Sequence, residues 1–526
     1  MAVVVPDAGQ HTAAHPRWTM AAVVIGSGVV FLDGTVVNVA LETIGSDLPA
    51  SMLGRLEGLT YVTSGYLTVL AALLVLAGAL GDVYGRRRLF AIGLVGFGIT
   101  SVACGLAPTL EALVAARLLQ GAAGALLVPG ALAIITAAWE GEERGRRIGI
   151  WAAATSAVTV GGPFVGGLLV QTVSWRAAFL INVPLVLAGA YALRFVAESR
   201  DEHATGRFDW LGSVVIALGV GGLAFGVTRG QQERWGDPVA YVAIAAGVVA
   251  LVAFPFLMAR RRDPLVPLEI FRSRAFSTIN LSTFVIYGAL YMNLAFLQLF
   301  LQGVLDYTPL AAALATLPAG VLLMLLSTRF GRLAGRRGPR AFLAVGPLLM
   351  AAGLLYLVRV PSTSPAWRAA PSDPASFLPS SGYWVDVFPG QVVYAIGLAV
   401  LVAPLSTALM ASIESRRAGL ASAINNAVSR AGAPLAGALL FIAVSAVYYP
   451  AIAALVPGVD TASAAFRDAV QPLTRPDPGV GAQVAAAAAE ASTTSFHIAM
   501  AVAALLLAAG AAINWFGLRE APVTAE

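Results

Sequence analysis

An aspartate inside an apolar stretch is the residue of this sequence best suited to chemistry. Asp33 lies in the run LDGTVVNVAL, well within the first long apolar segment, which extends from Trp18 to Leu41. An ionised aspartate at the centre of a bilayer costs roughly 2.5–3.5 kcal/mol, so it is kept where a bundle interior or a water-filled cavity surrounds it. Burial favours the neutral form of a carboxyl group. We therefore expect Asp33 to bind and release a proton.

The other reactive residues do not form the patterns of an enzyme or a metal site. The four histidines are scattered, and Cys104 is the one cysteine, so neither a metal cluster nor an intrachain disulfide is expected. The sequence contains no HExxH, P-loop, CxxC or GxSxG pattern. We expect no enzymatic activity, no metal and no cofactor. The energy source should be an ion gradient, not ATP hydrolysed by this chain.

The elements that must position Asp33 are predicted to be membrane-spanning helices. Hydrophobic residues make up 58% of the 526 residues and charged residues 12%, which is more apolar surface than a water-soluble fold can bury. A helix needs about 20 apolar residues to cross a bilayer, and such stretches recur along the chain. The net charge of +5 fits arginine-rich loops beside a membrane, and no nucleic-acid partner is expected. Fourteen spans are predicted: 18–41, 58–80, 88–107, 110–138, 147–171, 177–197, 210–228, 238–258, 276–303, 309–330, 340–358, 387–412, 418–446 and 495–517.

The basic residues indicate how these spans are oriented. All 33 are arginine, and with the N-terminus inside the cell 23 of them fall in cytoplasmic loops or span ends and 8 in outer loops. An excess of positive charge on the inside is typical of membrane proteins. We therefore predict a multi-pass protein of the bacterial cytoplasmic membrane with both termini in the cytoplasm. Its two long outer connections, 361–386 and 450–494, are predicted to be solvated connectors, with a lid as the alternative.

An internal repeat indicates two related halves. The segment GDVYGRRR at 81–88 returns as GRLAGRRG at 331–338, each on a predicted cytoplasmic turn. We interpret residues 1–200 and 271–526 as two six-helix bundles, with two inserted spans and their linkers at 201–270. Two bundles related by a repeat suit a transporter that opens a central site alternately to each side. The predicted fold class is an all-α polytopic membrane protein with 14 transmembrane helices.

The first copy of the repeat belongs to a longer pattern, GALGDVYGRRR at 78–88. Its glycines allow a sharp turn and a close approach of two helices. Its aspartate can accept hydrogen bonds at a helix end, and its arginines can face lipid phosphates and carboxylates. An arginine cluster that only sets topology is the alternative, but it does not account for the spacing of the glycines and the aspartate. The residues concerned are Gly78, Gly81, Asp82, Gly85, Arg86, Arg87 and Arg88.

Two further patterns lie inside predicted spans. LVAARLLQGAAGA at 113–125 contains Arg117, and a guanidinium within a span needs a carboxylate, backbone carbonyls or water. Arg117 could therefore also be a structural hydrogen-bond donor. VGGPFVGG at 160–167 combines small residues that allow close helix contact with a proline that removes a backbone donor and can produce a kink. Its key residues are Gly162, Pro163, Gly166 and Gly167.

Several polar residues in other spans are candidates for a cavity lining. Asn426 and Arg430 are four residues apart and share a helix face, so they either line a cavity or hold helices together. Asn38 is five residues from Asp33 and need not share its face. In the span 276–303, packing against lipid is the alternative for each candidate. The full set of candidates is Asn38, Tyr287, Tyr291, Asn293, Gln298, Asn425, Asn426 and Arg430.

Taken together, the segments 32–41, 78–88, 113–125, 160–167 and 175–184 resemble the motifs of the major facilitator superfamily, specifically its fourteen-span drug:proton antiporter family. The resemblance implies the major facilitator fold with two inserted helices. It also implies a conformational latch at 78–88, a role for Arg117 in proton transfer, and an antiporter hinge at 160–167. One departure is Val158, which stands where the family has a more amino-terminal glycine.

This resemblance implies a function that the residues alone do not specify. We expect a proton-coupled antiporter that exports hydrophobic or amphiphilic drugs or antibiotics by alternating access. Its expected partners are small lipophilic substrates, protons and membrane lipids, and a monomer is expected. A dedicated exporter of one metabolite, siderophore or lipid would use the same mechanism, and cavity shape would distinguish the two. A non-transporting receptor or scaffold is a weaker alternative, because the motifs are mostly intact.

Overall fold

The computed structural model describes residues 15–49, 55–200, 208–232, 236–262, 264–370, 373–414, 417–477 and 479–518. In these residues the secondary structure is helical, apart from one isolated bridge between Ala370 and Asp373. Inside a bilayer the backbone N–H and C=O groups cannot bond to water. Long apolar segments therefore favour the helix, which pairs these groups within one segment. The predicted all-α fold class is therefore confirmed.

The first ten helices cover the predicted N-terminal bundle and the predicted insert. They are α1 (Pro16–Asp47), α2 (Arg55–Tyr84), α3 (Arg86–Gly105), α4 (Leu110–Ala125), α5 (Leu127–Ala138), α6 (Gly141–Thr172), α7 (Ala177–Leu180), α8 (Asn182–Leu193), α9 (Trp210–Gln232) and α10 (Pro238–Arg260). The remaining eight are α11 (Arg274–Gly303), α12 (Pro309–Ala315), α13 (Leu317–Arg337), α14 (Arg340–Leu357), α15 (Phe388–Ala411), α16 (Ala418–Leu455), α17 (Ala464–Ala469) and α18 (Ala482–Gly517).

Twelve helical segments of the described residues are long and apolar enough to cross a membrane. They coincide with twelve of the fourteen predicted spans. The predicted span 177–197 forms the shorter apolar segment Ala177–Leu193, interrupted between α7 and α8. The predicted span 418–446 lies in α16, where many side chains fall outside the described residues. The count of fourteen transmembrane helices therefore stays a prediction.

The chain forms two compact units. The first contains residues 1–225, 242–276 and 406–427, and the second contains residues 226–241, 277–405 and 428–526. Most of α9 and α10, which we predicted to be an insert, thus belongs to the first unit. The boundaries 1–200, 201–270 and 271–526 stay predictions.

The first unit positions the residues singled out in the sequence. Helix α1 packs along α6 and α8, α2 packs along α4, and α3 packs against α4 and α8. Its core is apolar and includes Val37, Ile44, Leu113 and Phe179. Burial of such side chains stabilises the bundle through close packing. Within this scaffold both α4 and α8 contact α1, and both also contact α3.

The second unit has its own packed core. Helix α14 runs along α18, and the rings of Phe300 and Phe496 stack with their centroids 4.0 Å apart. Asn514 of α18 donates a hydrogen bond from Nδ2 to the carbonyl oxygen of Leu343 in α14, at 2.9 Å. A side-chain bond to a neighbouring helix backbone fixes the rotation of the pair. The two helices are thus joined by both apolar packing and a polar contact.

Candidate functional site

The structure pairs Asp33 of α1 with Arg117 of α4. Nη1 of the Arg117 guanidinium donates to Oδ2 of Asp33. Both side chains are almost fully buried: the exposed fraction is 1% for Arg117 and 0% for Asp33. Arg117 also donates from Nε to the carbonyl oxygen of Val62, at 2.9 Å, and lies 4.0 Å from the centre of the Tyr66 ring. A buried ion pair needs such extra partners, because its desolvation can exceed the attraction between the charges.

Two amides complete the surroundings of the Asp33 carboxylate. Nε2 of Gln120 and Nδ2 of Asn182 donate to Oδ1 of Asp33, at 3.2 and 3.1 Å. The same two nitrogens contact Oγ of Ser101, at 2.8 and 3.2 Å. Arg117 Nη1 donates to Oε1 of Gln120 at 2.7 Å. The network therefore links α1, α3, α4 and α8 around one carboxylate, and we call these five residues the Asp33 network.

The sequence interpretation missed three members of this network, although signals for two were present. Gln120 follows Arg117 by three residues, which places both on one face of α4. Asn182 is a polar residue in an apolar segment, where an unpaired amide would be costly. Ser101 carries no comparable signal, because a serine in a helix commonly bonds to its own backbone.

The predicted latch joins the turn between α2 and α3 to the start of α16. Asp82 Oδ1 accepts hydrogen bonds from Arg86 Nε at 3.0 Å and Nη2 at 2.9 Å. Asp82 Oδ2 accepts from the backbone N–H of Leu420 at 3.1 Å. The amides in the first turn of a helix have no partner within the helix and favour negative charge. Asp82 thus holds together segments 338 residues apart in the sequence.

Glu198 adds a second carboxylate to this turn. Its Oε1 and Oε2 accept hydrogen bonds from the backbone N–H groups of Arg87 and Arg88, at 3.0 and 3.1 Å. Gly85 has a φ angle of +107°, and a Cβ there would lie 2.9 Å from the Glu198 carboxylate. The turn therefore requires glycine at 85 for both conformation and space.

The other latch residues differ in environment. Gly78 is buried within α2, whereas Gly81 has open space around its Cα. Arg86 is buried against Asp82, so its partner is a carboxylate, one of the two kinds of group that the sequence suggested for these arginines. Arg87 donates from Nε to the carbonyl oxygen of Leu193 at 3.1 Å. The arginines of this turn therefore hold protein segments together.

The predicted hinge glycines bring α6 against α1. A Cβ at Gly162 would lie 2.0 Å from Oγ1 of Thr35, and one at Gly166 would lie 3.0 Å from the carbonyl oxygen of Val36. Gly167 is partly buried. The helix continues unbroken from Gly141 to Thr172. The side chain of Pro163 lies outside the described residues, so the predicted kink stays a prediction.

The candidate cavity residues fall in both units, and the side chains of some lie outside the described residues. Tyr291, in the second unit, has its ring centre 6.3 Å from that of Tyr287. Asn425 and Asn426 belong to the first unit, and Asn426 Nδ2 donates to the carbonyl oxygen of Ser422 in its own helix, at 2.9 Å. The side chains of Asn38 and Arg430 lie outside the described residues.

Among the described residues, no group of three or more histidine, cysteine, aspartate or glutamate side chains could hold a metal ion. Around Asp33 the polar groups are an ion pair and neutral amides. A carboxyl group can bind and release a proton, and the hydrogen bonds of the amides hold the surrounding helices to it.

Comparison with known proteins places this geometry in a family. The sequence matches the model of the Major Facilitator Superfamily over residues 23–438. It is 33% identical over 80% of its length to "Multidrug resistance protein Stp" of Mycobacterium tuberculosis (strain CDC 1551 / Oshkosh), covering 74% of that protein. It is 32% identical to "Tetracenomycin C resistance and export protein" of Streptomyces glaucescens, over 83% of this chain and 78% of that protein. A third relative, "Puromycin resistance protein pur8" of Streptomyces alboniger, is 32% identical, with 80% of each chain covered.

Solved structures show the same fold at low sequence identity. The human organic anion transporter MFSD10 (TETRAN) matches with a TM-score of 0.56 and 16% identity, over 93% of this chain and 99% of that chain. The proton:xylose symporter XylE matches with a TM-score of 0.54 and 14% identity, over 93% and 94% of the two chains. With a family model matched over most of its length and relatives above 30% identity, this chain belongs to the major facilitator superfamily.

Proposed function

We propose that this protein exports hydrophobic or amphiphilic small molecules, including drugs or antibiotics, across the bacterial cytoplasmic membrane in exchange for protons. The observation that carries the proposal is the buried pair of Asp33 and Arg117, because a change in the charge of Asp33 alters the contacts of four helices at once. The relatives named for multidrug, tetracenomycin C and puromycin resistance support the class of cargo.

In the proposed cycle, Asp33 takes up a proton from outside as cargo leaves, and releases it inside as cargo binds. Protonation removes the negative charge that faces Arg117. The arginine would then keep only neutral partners, the Val62 carbonyl and the Gln120 side chain. An uncompensated buried charge is strongly unfavourable, so protonation favours an arrangement in which Arg117 reaches water or another partner. Alternating access follows from these two arrangements.

Asn182 gives this cycle an acceptor beside the carboxylate. Its Oδ1 is buried and has no hydrogen-bond partner among the described residues, whereas its Nδ2 donates to Asp33. A buried acceptor without a partner is costly unless water or a ligand satisfies it. In the proposed cycle a water at this position delivers the proton to Asp33. The proton gradient is the energy source, no cofactor or enzymatic step is needed, and one chain is the transporting unit.

The experiment that tests the coupling role compares Asp33→Asn with the wild type in proteoliposomes under an imposed pH gradient. Asn keeps the size of the side chain but cannot carry the charge. We expect gradient-driven accumulation of ethidium or puromycin to fall to the level of empty liposomes. Exchange of labelled for unlabelled cargo without a gradient should persist. Gradient-driven transport at the wild-type rate in Asp33→Asn would remove Asp33 from the coupling role.

Asp47→Asn is the matched control, because it removes a carboxylate from the end of the same helix. Asp47 accepts hydrogen bonds from Trp175 Nε1 at 2.7 Å and Arg176 Nη1 at 2.8 Å. These two contacts hold the pKa of Asp47 below its usual range, so it stays ionised throughout the transport assay. We expect Asp47→Asn to retain gradient-driven transport.

A dedicated exporter of one compound is the second candidate, since two of the relatives carry the name of a single antibiotic. A panel of antibiotics in a host that lacks its own efflux pumps distinguishes the two. Protection against several unrelated compounds supports multidrug export, and protection against one compound supports the dedicated exporter.

A further inference from the structure

Two buried amides of the second unit have polar atoms without partners. Oδ1 of Asn293 in α11 and Nε2 of Gln391 in α15 form no hydrogen bond within the described part of the chain. Asn293 is 4% exposed and Gln391 is 1% exposed. Buried polar atoms are nearly always paired, and an unpaired one is destabilising. Asn293 therefore does not face lipid. Packing alone does not explain why two buried amides keep polar atoms without partners.

Tyr394 links Asn293 to the helix that carries Gln391. Its hydroxyl interacts with the side chain of Asn293, so α11 and α15 meet at this point. Because Oδ1 of Asn293 has no partner, the contact uses the amide nitrogen. Gln391 precedes Tyr394 by three residues and shares its face of α15. Tyr287 of α11 lies close enough to interact with Tyr394. The four side chains carry no formal charge and combine aromatic surface with unused hydrogen-bonding capacity.

We propose that Asn293, Gln391 and Tyr394 form a neutral hydrogen-bonding subsite for cargo that carries hydroxyl or amide groups. One unpaired acceptor and one unpaired donor match a ligand group that both donates and accepts, as hydroxyl and amide groups do. The neighbouring rings add apolar contact for the rest of the molecule. A permanent cation finds no counter-charge among these residues. This inference rests on the proposed export function and specifies which cargo the second unit favours.

The buried position sets the step of the cycle at which the subsite acts. All three side chains are almost completely buried in this structure, so cargo reaches them only in a more open arrangement. A site with polar groups built to hydrogen-bond a ligand discriminates strongly against ligands that lack the matching group. The subsite therefore provides selectivity among neutral compounds, whereas the Asp33 network provides the coupling to protons.

Binding of two probes to the purified full-length protein tests the subsite. Puromycin carries hydroxyl and amide groups, and tetraphenylphosphonium carries no hydrogen-bonding group. We expect Asn293→Leu and Gln391→Leu each to weaken puromycin binding about tenfold, while tetraphenylphosphonium binding changes less than about twofold. Thermal stability of Gln391→Leu should be unchanged or raised, because the substitution removes a buried amide nitrogen without a partner. A purely structural role for Gln391 predicts the opposite, a loss of stability. Asn293→Leu also removes the contact with Tyr394, so its stability does not distinguish the two roles.

Asn514→Leu is the matched control, because Asn514 is another buried asparagine of the second unit that, like Asn293, has an Oδ1 without a partner in the described residues. Its amide nitrogen bonds to Leu343 of α14, so the substitution also removes a hydrogen bond. It should lower thermal stability without changing the preference between the two probes. Unchanged puromycin binding in both subsite variants, equal loss of both probes, or a wild type that binds tetraphenylphosphonium but not puromycin would overturn the subsite. A wild type that exports neither probe would contradict the proposed export function itself, which separates the two failures.

Discussion

At the scale of single residues, the Asp33 network shows how a charge is kept in an apolar bundle. The carboxylate accepts from a guanidinium and two amides, so each of its oxygens has partners. Arg117 in turn has a carbonyl and an aromatic face to balance its charge. Because these contacts are shared, losing one charge disturbs several of them together. This coupling of charge to packing is what a proton-driven conformational change requires.

Two glycines of the latch, Gly85 and Gly81, should respond differently to substitution by alanine. Gly85→Ala places a Cβ in a left-handed backbone conformation and 2.9 Å from the Glu198 carboxylate, whereas Gly81→Ala meets no atom within 4 Å. We expect Gly85→Ala to lower the free energy of unfolding by about 1–3 kcal/mol, with a lower melting temperature and slower transport. Gly81→Ala should behave as the wild type.

The double variant Gly85→Ala/Glu198→Ala separates the two causes. Removing the Glu198 side chain relieves the steric clash but leaves the backbone strain and the lost amide contacts. Melting temperatures of the four proteins therefore give a coupling between positions 85 and 198. Simple addition of the two single effects would show that the clash with Glu198 contributes nothing.

The sequence identified the charged residues of the site but not their partners. Asp33 and Arg117 stand out because a charge in an apolar span is rare, and their types alone indicate a need for compensation. Their pairing joins residues 84 positions apart, and spacing within one helix does not determine which helices pack together. Ser101, Gln120 and Asn182 were missed for the same reason. Glu198 was missed because its role depends on where the chain after α8 returns.

At the scale of elements, the long connections of the second unit are tied to the turn between α11 and α12. Asp306 in this turn forms ion pairs with Arg368 and Arg475, one from each connection. Thr308 Oγ1 also donates to the carbonyl oxygen of Ala369 at 2.8 Å. Asp306 has a φ angle of +61°, a conformation that few residues other than glycine adopt. These connections are therefore attached to the unit, which the sequence did not indicate.

Substitution of Asp306 tests whether charge or backbone conformation attaches these connections. Asp306→Asn removes the charge but tolerates the left-handed conformation, whereas Asp306→Gly removes the charge and also the strain. Exposed ion pairs contribute about 0.2–1 kcal/mol each, so we expect hydrogen exchange of residues 361–370 and 471–477 to be several-fold faster in both variants. Peptides from α14 and α18 should exchange as in the wild type and serve as the internal control. Unchanged exchange in Asp306→Asn would mean that the ion pairs do not attach the connections.

At the scale of the whole molecule, local hydropathy predicted the helices, and tertiary contacts determined how they group. Twelve predicted spans agree with helical segments of sufficient length, because span length follows from bilayer thickness alone. The grouping of residues 406–427 with the first unit could not be predicted. It depends on contacts such as that of Leu420 N–H with Asp82, which hydropathy does not record. The resemblance of the segment 78–88 to the family motif implies a latch there, but it does not specify Leu420 as a partner.

The predicted orientation of the chain, with both termini in the cytoplasm, can be tested with single cysteines. The native Cys104 is fully buried, so the wild type should give almost no background with a membrane-impermeant maleimide. Gly335→Cys adds a thiol at an exposed position with no neighbouring atom within 4 Å, in the last turn of α13, at an end predicted to be cytoplasmic. Leu378→Cys replaces a side chain that is 80% exposed, in a connection predicted to be outside.

We expect Leu378→Cys to react in intact cells and Gly335→Cys to react only after the membrane is permeabilised. The physical reason is the excess of arginine on the side of position 335, which the insertion machinery keeps in the cytoplasm. Transport by both variants must match the wild type, so that labelling reports the functional protein. Reaction of Gly335→Cys in intact cells would reverse the orientation.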